Sequence, residues 1–208
     1  MGGSPWRVSL IAVLMTLLAF DAPEPPRAAP AEPRVEWRDS RAIGSPSAGR
    51  LMRGVQLPAR GAGFVTWDPI TRRAPSRGWR RWGTDETVRR TMRVLRRFER
   101  RHPRLPPVAV GDLSRPRGGD FGPKYGLVGH ASHQNGLDVD VYYPRRDRRV
   151  SPPRQPSLVD RRLAQELVDA FVDAGATKVF TGPSLGLRGP AGVVGPLAGH
   201  DNHLHVRF

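Results

Sequence analysis

The sequence contains no cysteine, which excludes a disulfide framework, thiolate metal ligands, a cysteine nucleophile and a lipidated cysteine anchor. It has no His-Glu-x-x-His segment, so the glutamate base of many metalloproteases is missing. No internal repeat and no heptad pattern runs through it. Its main apolar run, Leu10 to Phe20, falls well short of the ~20 residues that a membrane-spanning helix needs. One arginine precedes that run and a Pro/Ala-rich tract from Asp21 to Ala31 follows, which is the layout of a secretory signal peptide. Residues 1–33 are therefore expected to be targeting and linker sequence, with cleavage after Ala31 or nearer Ala22, and residues 34–208 to form one domain. Export to the periplasm or the outer face of the cell envelope follows, with no stable membrane span after processing.

Acidic residues are scarce as well. Lysine and arginine number 34 against 19 aspartates and glutamates, a formal net charge of +15. The excess is almost all arginine, concentrated at 72–101 and 145–162. Such a balance favours a polyanionic partner through long-range attraction, or else makes a solvated face. For an exported chain the available polyanion is the cell wall, and nucleic acid is not an expected partner.

Taken in order, residues 34–84 are rich in Gly, Pro and Arg, with short apolar pieces at Leu51–Leu57 and Gly63–Trp67. They predict irregular loops with two short strands or hairpin arms, wrapped on the core by Trp67, Trp79 and Trp82. Thr84 or Asp85 caps a helix whose stripe is Val88, Met92, Leu95 and Phe98, ended by His102-Pro103. Pro107–Gly111 predicts a strand entering the loop Asp112–Gly119. Ser157 is expected to cap a second helix with Leu158, Leu163, Leu167, Phe171 and Val172 on one side and Gly175 near its end, and Lys178–Thr181 a further strand. The sum is an α+β fold, a small and mainly antiparallel sheet covered by two helices with an irregular N-terminal arm. Gly182-Pro-Ser184-Leu-Gly186 matches a serine-hydrolase elbow, with Asp201 and His203 following. The Gly/Pro-rich residues 186–192 cannot form the helix that elbow needs, so a loop is expected there.

Five of the six histidines fall in two short stretches, His130-Ala-Ser-His133-Gln-Asn-Gly136-Leu-Asp138-Val-Asp140 and His200-Asp-Asn-His203-Leu-His205. Histidine is the commonest protein ligand for zinc, and a catalytic zinc typically takes three protein ligands. Gly136 permits a tight turn after His133, and the alternating run that follows predicts a half-buried strand with Asp138 and Asp140 on one face. His203 and His205, two apart in another alternating run, also share a face.

The pattern Ser132-His133-x-x-Gly136-x-x-x-Asp140 with His203-x-His205 resembles zinc peptidases that include D-Ala-D-Ala dipeptidases, D,D-carboxypeptidases and penicillin-insensitive murein endopeptidases. The longer run His-Ala-Ser-His-Gln-x-Gly-Leu-Asp-Val-Asp, preceded by Gly111-Asp-Leu-Ser-x-Pro-x-Gly-Gly119, is similar to the murein endopeptidase branch, over residues 108–143 and 178–208. The resemblance implies a zinc metallopeptidase with one zinc held by His133, Asp140 and His205. It implies His203 as general base or transition-state partner, assisted by His200. His130 becomes either a further ligand or a substrate contact. Beside these, Ser132 is a candidate to support a ligand or to bind substrate, Asp138 an acceptor orienting a ligand imidazole or a polar edge residue, and Arg115 a clamp on a substrate carboxylate. Zinc in such a set lowers the pKa of water towards ~7, so no serine nucleophile is needed. The expected function is an exported endopeptidase acting on the D-alanyl to diaminopimelyl cross-links of peptidoglycan stem peptides. A zinc D,D-carboxypeptidase or dipeptidase, or a non-catalytic murein-binding module, are the alternatives.

Overall fold

The computed structural model describes Met1, Gly2 and residues 34–125 and 130–208. The expected signal peptide lies outside the described residues, among which no helix is long and apolar enough to cross a membrane. The arm is more ordered than its Gly/Pro content suggests. It opens with an antiparallel hairpin of β1 (Arg41–Ser45) and β2 (Ala48–Met52). Short strands β3 (Val55–Gln56), β4 (Arg60–Gly61), β5 (Phe64–Thr66) and β6 (Trp82–Gly83) follow. The expected apolar piece Leu51–Leu57 is broken by Arg53, whose φ of 49° turns the chain between β2 and β3.

Helix α1 (Asp85–Arg101) begins at Thr84, whose side chain accepts a hydrogen bond from the Thr87 amide at 3.1 Å. Val88, Leu95 and Phe98 are buried as predicted; Met92 is only partly so, and Thr87, Thr91 and Val94 complete the buried face. After β7 (Val108–Val110) and β8 (Asp138–Tyr142) comes α2 (Arg161–Asp173). Its cap is Asp160 and not Ser157, the Asp160 carboxylate accepting from Leu163 N at 3.2 Å. Val159 is extended and bridged to Arg145, so Ser157 is confined to a separate short turn. Strands β9 (Lys178–Thr181), β10 (Val194–Pro196) and β11 (His203–Arg207) complete the order.

Seven strands form one sheet in the order β10-β9-β11-β8-β7-β5-β4. Only the β10/β9 and β7/β5 pairs are parallel, so the sheet is mainly antiparallel. Val110, Val139, Val141, Leu204 and Val206 point from one face into a core shared with Val88, Leu95 and Phe98 of α1 and Leu167 and Phe171 of α2. Successive strand residues point to opposite faces, so Asp138, Asp140, His203 and His205 project from the side away from the helices. β8 was expected to be half-buried, yet all five of its residues are buried. Its polar face is closed over by imidazoles and Arg207 instead of meeting water.

Candidate metal centre

β11 pairs antiparallel with β8 so that His205 faces Asp140, Arg207 faces Asp138 and His203 faces Tyr142. Directly opposed residues lie within side-chain reach on one face. Gly111 on the adjoining segment leaves room for them, because a Cβ there would lie 3.1 Å from Asp140 Cβ and 3.2 Å from the Tyr142 ring. The remaining donors come from the loop before β8. His133 has φ of 66°, a conformation non-glycine residues adopt only when their surroundings hold them in it. Here the His133 amide donates to Asp138 Oδ2 at 2.9 Å, and its Nδ1 donates to the Leu113 carbonyl at 2.5 Å.

Those contacts aim His133 Nε2 at Asp140 Oδ1, 3.3 Å away. His205 Nδ1 is 3.2 Å from the same oxygen and 3.2 Å from His133 Nε2. The outer nitrogen of His205 lies 3.2 Å from Asp138 Oδ1, and Asp138 is itself gripped by Arg207 Nε at 2.6 Å. Once His205 gives up its extra proton, three ligand atoms, one from each residue, converge on one point. Asp140 Oδ1 is buried with no hydrogen-bond partner, and the Asp138 contact is too poorly directed to count as one for His205 Nε2. Leaving a buried carboxylate oxygen bare is costly. A cation removes the conflict, and donors about 3.4 Å apart are what tetrahedral zinc with ~2.0–2.2 Å bonds requires. The residues fit that ion.

His130 extends the cluster. His130, His133 and Asp140 each offer an atom within 4.8 Å of the others, a group able to hold a metal ion. His130 Nδ1 is 3.9 Å from Asp140 Oδ2, looser than the His133, Asp140 and His205 triangle. His130 Nε2 meets Asp112 Oδ2 at 2.8 Å. Asp112 in turn receives Arg80 Nε at 2.6 Å and, on the oxygen shared with His130, Arg80 Nη2. Both partners of this ion pair are 1% exposed, and Arg80 Nη1 donates to the Tyr125 carbonyl at 2.7 Å. Sequence reasoning missed Arg80 and Asp112. The one signal was Asp112 itself, inside the loop that opens Gly111-Asp-Leu-Ser.

The second pair of histidines borders the cluster. His203 Nε2 lies 3.7 Å from Asp140 Oδ1, and its Nδ1 is 2.6 Å from Asn202 Oδ1. The His200 ring is 4.7 Å from that of His203, with Nδ1 at 3.1 Å from the Ala198 carbonyl. Tyr143 fixes this stretch, its hydroxyl donating to the His200 carbonyl at 3.2 Å and accepting from Gly182 N at 3.1 Å. Ser132 is half-buried, and no hydrogen bond among the described residues ties it to the cluster. Arg115 is engaged within its own loop, donating to the Asp120 carbonyl at 2.7 Å and stacking 4.0 Å from the Tyr125 ring centroid. Ser184 donates to Asp201 Oδ2 at 3.0 Å, in a short 3-10 turn with no histidine on its hydroxyl. The loop reading of that segment holds.

Charge in the metal-free cluster follows from burial and neighbours. Burial disfavours the Asp140 carboxylate, but the fields of His133 and His203 outweigh it and hold its pKa well below the ordinary range. Burial likewise opposes the His205 imidazolium, yet Asp138 and Asp140 raise it to about 9. Burial wins at His203, lowering it to about 4 against the pull of Asp140. His200 is lowered by the same cause, whereas at His130 the bond to Asp112 overcomes burial and raises the pKa.

A family model described as penicillin-insensitive murein endopeptidase matches residues 42–179, which takes in the arm, the Asp112 loop and β8 but stops short of β11. Proteins named penicillin-insensitive murein endopeptidase are similar to this chain. That of Haemophilus influenzae is 30% identical over 130 residues, 50% of this chain and 44% of that one. That of Yersinia enterocolitica is 28% identical over 193 residues, 80% of this chain and 65% of its own. That of Klebsiella pneumoniae is 26% identical over 195 residues, 81% and 66% respectively. The matches thus span from under half to just under two thirds of the length of these curated relatives.

Proposed function

The chain belongs to the penicillin-insensitive murein endopeptidase family, and on that premise we propose that it is an exported, zinc-dependent endopeptidase that hydrolyses D-alanyl to diaminopimelyl cross-links of peptidoglycan. The observation that carries the reading is the triangle of His133 Nε2, Asp140 Oδ1 and His205 Nδ1, with edges of 3.2–3.3 Å around a buried carboxylate oxygen that has no hydrogen bond. These three residues are the proposed ligands, and His130 stands beside them as a fourth donor or a substrate contact.

A zinc ion held there supplies Lewis-acid polarisation of the scissile carbonyl and acidifies the attacking water. The other tasks fall to the chain. His203, neutral because burial lowers its pKa to about 4, is free to accept a proton at Nε2 near Asp140. Asn202, against its Nδ1, holds the ring in that orientation. His200 packs against His203, its ring centroid 4.7 Å away, where it would assist that residue. The Leu113 carbonyl fixes the His133 imidazole from behind, Asp138 lies 3.2 Å behind His205 Nε2, and Arg207 fixes Asp138. No covalent nucleophile is required.

The test is digestion of purified cross-linked murein by the protein, with and without a zinc chelator, beside a His133→Ala variant. Conversion of muropeptide dimers to monomers, sensitive to chelator and absent from the variant, is expected. Release of terminal D-alanine with the dimers intact would reassign the site to carboxypeptidase chemistry, and binding without cleavage would make the chain a murein-binding module.

A further inference from the structure

Two tyrosines stand side by side at the end of β8, and strand alternation sends them to opposite faces of the sheet. Tyr143 goes to the core, where its hydroxyl is engaged by the His200 carbonyl and the Gly182 amide. Tyr142 goes to the histidine face. It stands directly across from His203 in the β8/β11 ladder, its ring edge-on to that imidazole at 6.1 Å between centroids. The far end of the ring leans over Gly111 towards Asp140. A Cβ on Gly111 would lie 3.1 Å from Asp140 Cβ, 3.2 Å from Tyr142 Cε2 and 3.3 Å from Cζ, the carbon that carries the hydroxyl. Tyr142 is 7% exposed, and its hydroxyl makes no hydrogen bond among the described residues. Nor is that oxygen one of the fully sealed, unpartnered atoms, so it reaches the accessible edge of the site. A polar group so enclosed costs free energy unless it is paired. A phenylalanine ring would support His203 as well, so packing leaves the hydroxyl unexplained.

We propose, building on the hydrolytic reading of this site, that the Tyr142 hydroxyl is a catalytic donor to the oxygen of the scissile carbonyl as that oxygen gathers negative charge. A phenol, titrating ordinarily at about 10, carries its proton at neutral pH. Burial, joined by the fields of Asp112 and Asp140, keeps it there. A donor held in place beforehand needs no rearrangement when charge develops. In a site that excludes water it therefore acts more strongly on the forming oxyanion than on the neutral carbonyl. The two facing residues then divide the work. His203 takes a proton from the attacking water, whereas Tyr142 keeps its own proton and shares it with the oxygen.

Tyr142→Phe removes the oxygen and keeps the ring. With the zinc-loaded full chain and a soluble cross-linked muropeptide dimer, kcat is expected to fall by about 10²–10³-fold with KM unchanged. Affinity for a phosphinate mimic of the tetrahedral intermediate, measured by calorimetry, should fall by the same factor. Zinc content, and the thermal melt of the chelated variant, should match the wild type, because the hydroxyl has no partner among the described residues. An unchanged kcat overturns the proposal. So does a loss confined to KM, which would make the hydroxyl a contact to the bound substrate only. A lower melting temperature or zinc content alongside the lower kcat also overturns it, since the hydroxyl would then serve the fold. The wild type judges the endopeptidase reading separately. If it leaves the dimer uncut, that reading fails and the role of Tyr142 with it, whereas a variant as active as an active wild type removes Tyr142 alone.

Discussion

His205 stands directly across from Asp140 in the ladder between β8 and β11, its Nδ1 3.2 Å from the carboxylate oxygen. This one pairing joins two segments that are far apart in the chain and leaves His133 only to swing its Nε2 into the same space. Removing any corner should remove the site. In Asp140→Ala or His205→Ala, zinc content measured by elemental analysis is expected to fall to background and murein hydrolysis with it. An Asp140→Ala protein that keeps stoichiometric zinc would show that the metal is held elsewhere.

His203 is expected to separate from its neighbours by its kinetics. It reaches Asp140 only at 3.7 Å, outside the tight triangle, so His203→Ala should retain zinc. Its kcat should nevertheless fall by roughly 10²–10⁴, the range for loss of a positioned acid or base. Loss of metal together with activity would make His203 a ligand.

Proton and zinc compete for His205. In the metal-free protein its pKa is raised to about 9, so the folded state holds a proton there that the unfolded chain releases near the ordinary value. That protonation stabilises the metal-free fold fully below about pH 6.5 and is lost as pH rises towards 9. Zinc requires the unprotonated ring. Apparent zinc affinity should therefore rise with pH between 6 and 9, by up to about tenfold per unit, while the chelated protein loses stability over the same interval. Titration calorimetry and thermal melts across that range check both slopes. A flat affinity profile would exclude His205 as the competing site.

Asp112→Ala is expected to be the most damaging substitution outside the ligands. It strands the Arg80 guanidinium, 1% exposed, without its carboxylate. Breaking a buried pair on one side costs about 3–5 kcal/mol, measurable by urea unfolding. The change also frees His130 Nε2, so the ring loses its anchor. Replacing Arg80 and Asp112 together with apolar residues should recover much of the stability but not the orientation of His130.

Ser184→Ala should leave hydrolysis unchanged. Its hydroxyl bonds Asp201 in a surface turn, and a measurable fall in kcat would reopen the serine-hydrolase reading.

The histidine cluster was legible because its logic is local: His203 and His205 two apart on a strand, and Gly136 at φ of 80° turning the chain after His133. The supports were not, because Arg80, Asp112 and the Leu113 carbonyl make their contacts across 18 to 32 residues of chain, and nothing in their spacing repeats. The β1/β2 hairpin was legible only as one of two readings of the arm, because its glycines and arginines carry little strand preference. Ser157 and Asp160 are equally good caps in sequence. The bridge from Val159 to Arg145 decided between them, a contact no local pattern reports.

The order of the sheet has a consequence in time. His133 and Asp140 occupy one loop and strand, but the third corner of the triangle arrives only when β11 inserts between β8 and β9. A nascent chain that has formed its arm, α1 and β8 still has an open triangle and presents no complete metal centre. Insertion of β11 between β8 and β9 is the step that closes the triangle, so the three side chains converge only when the sheet is assembled.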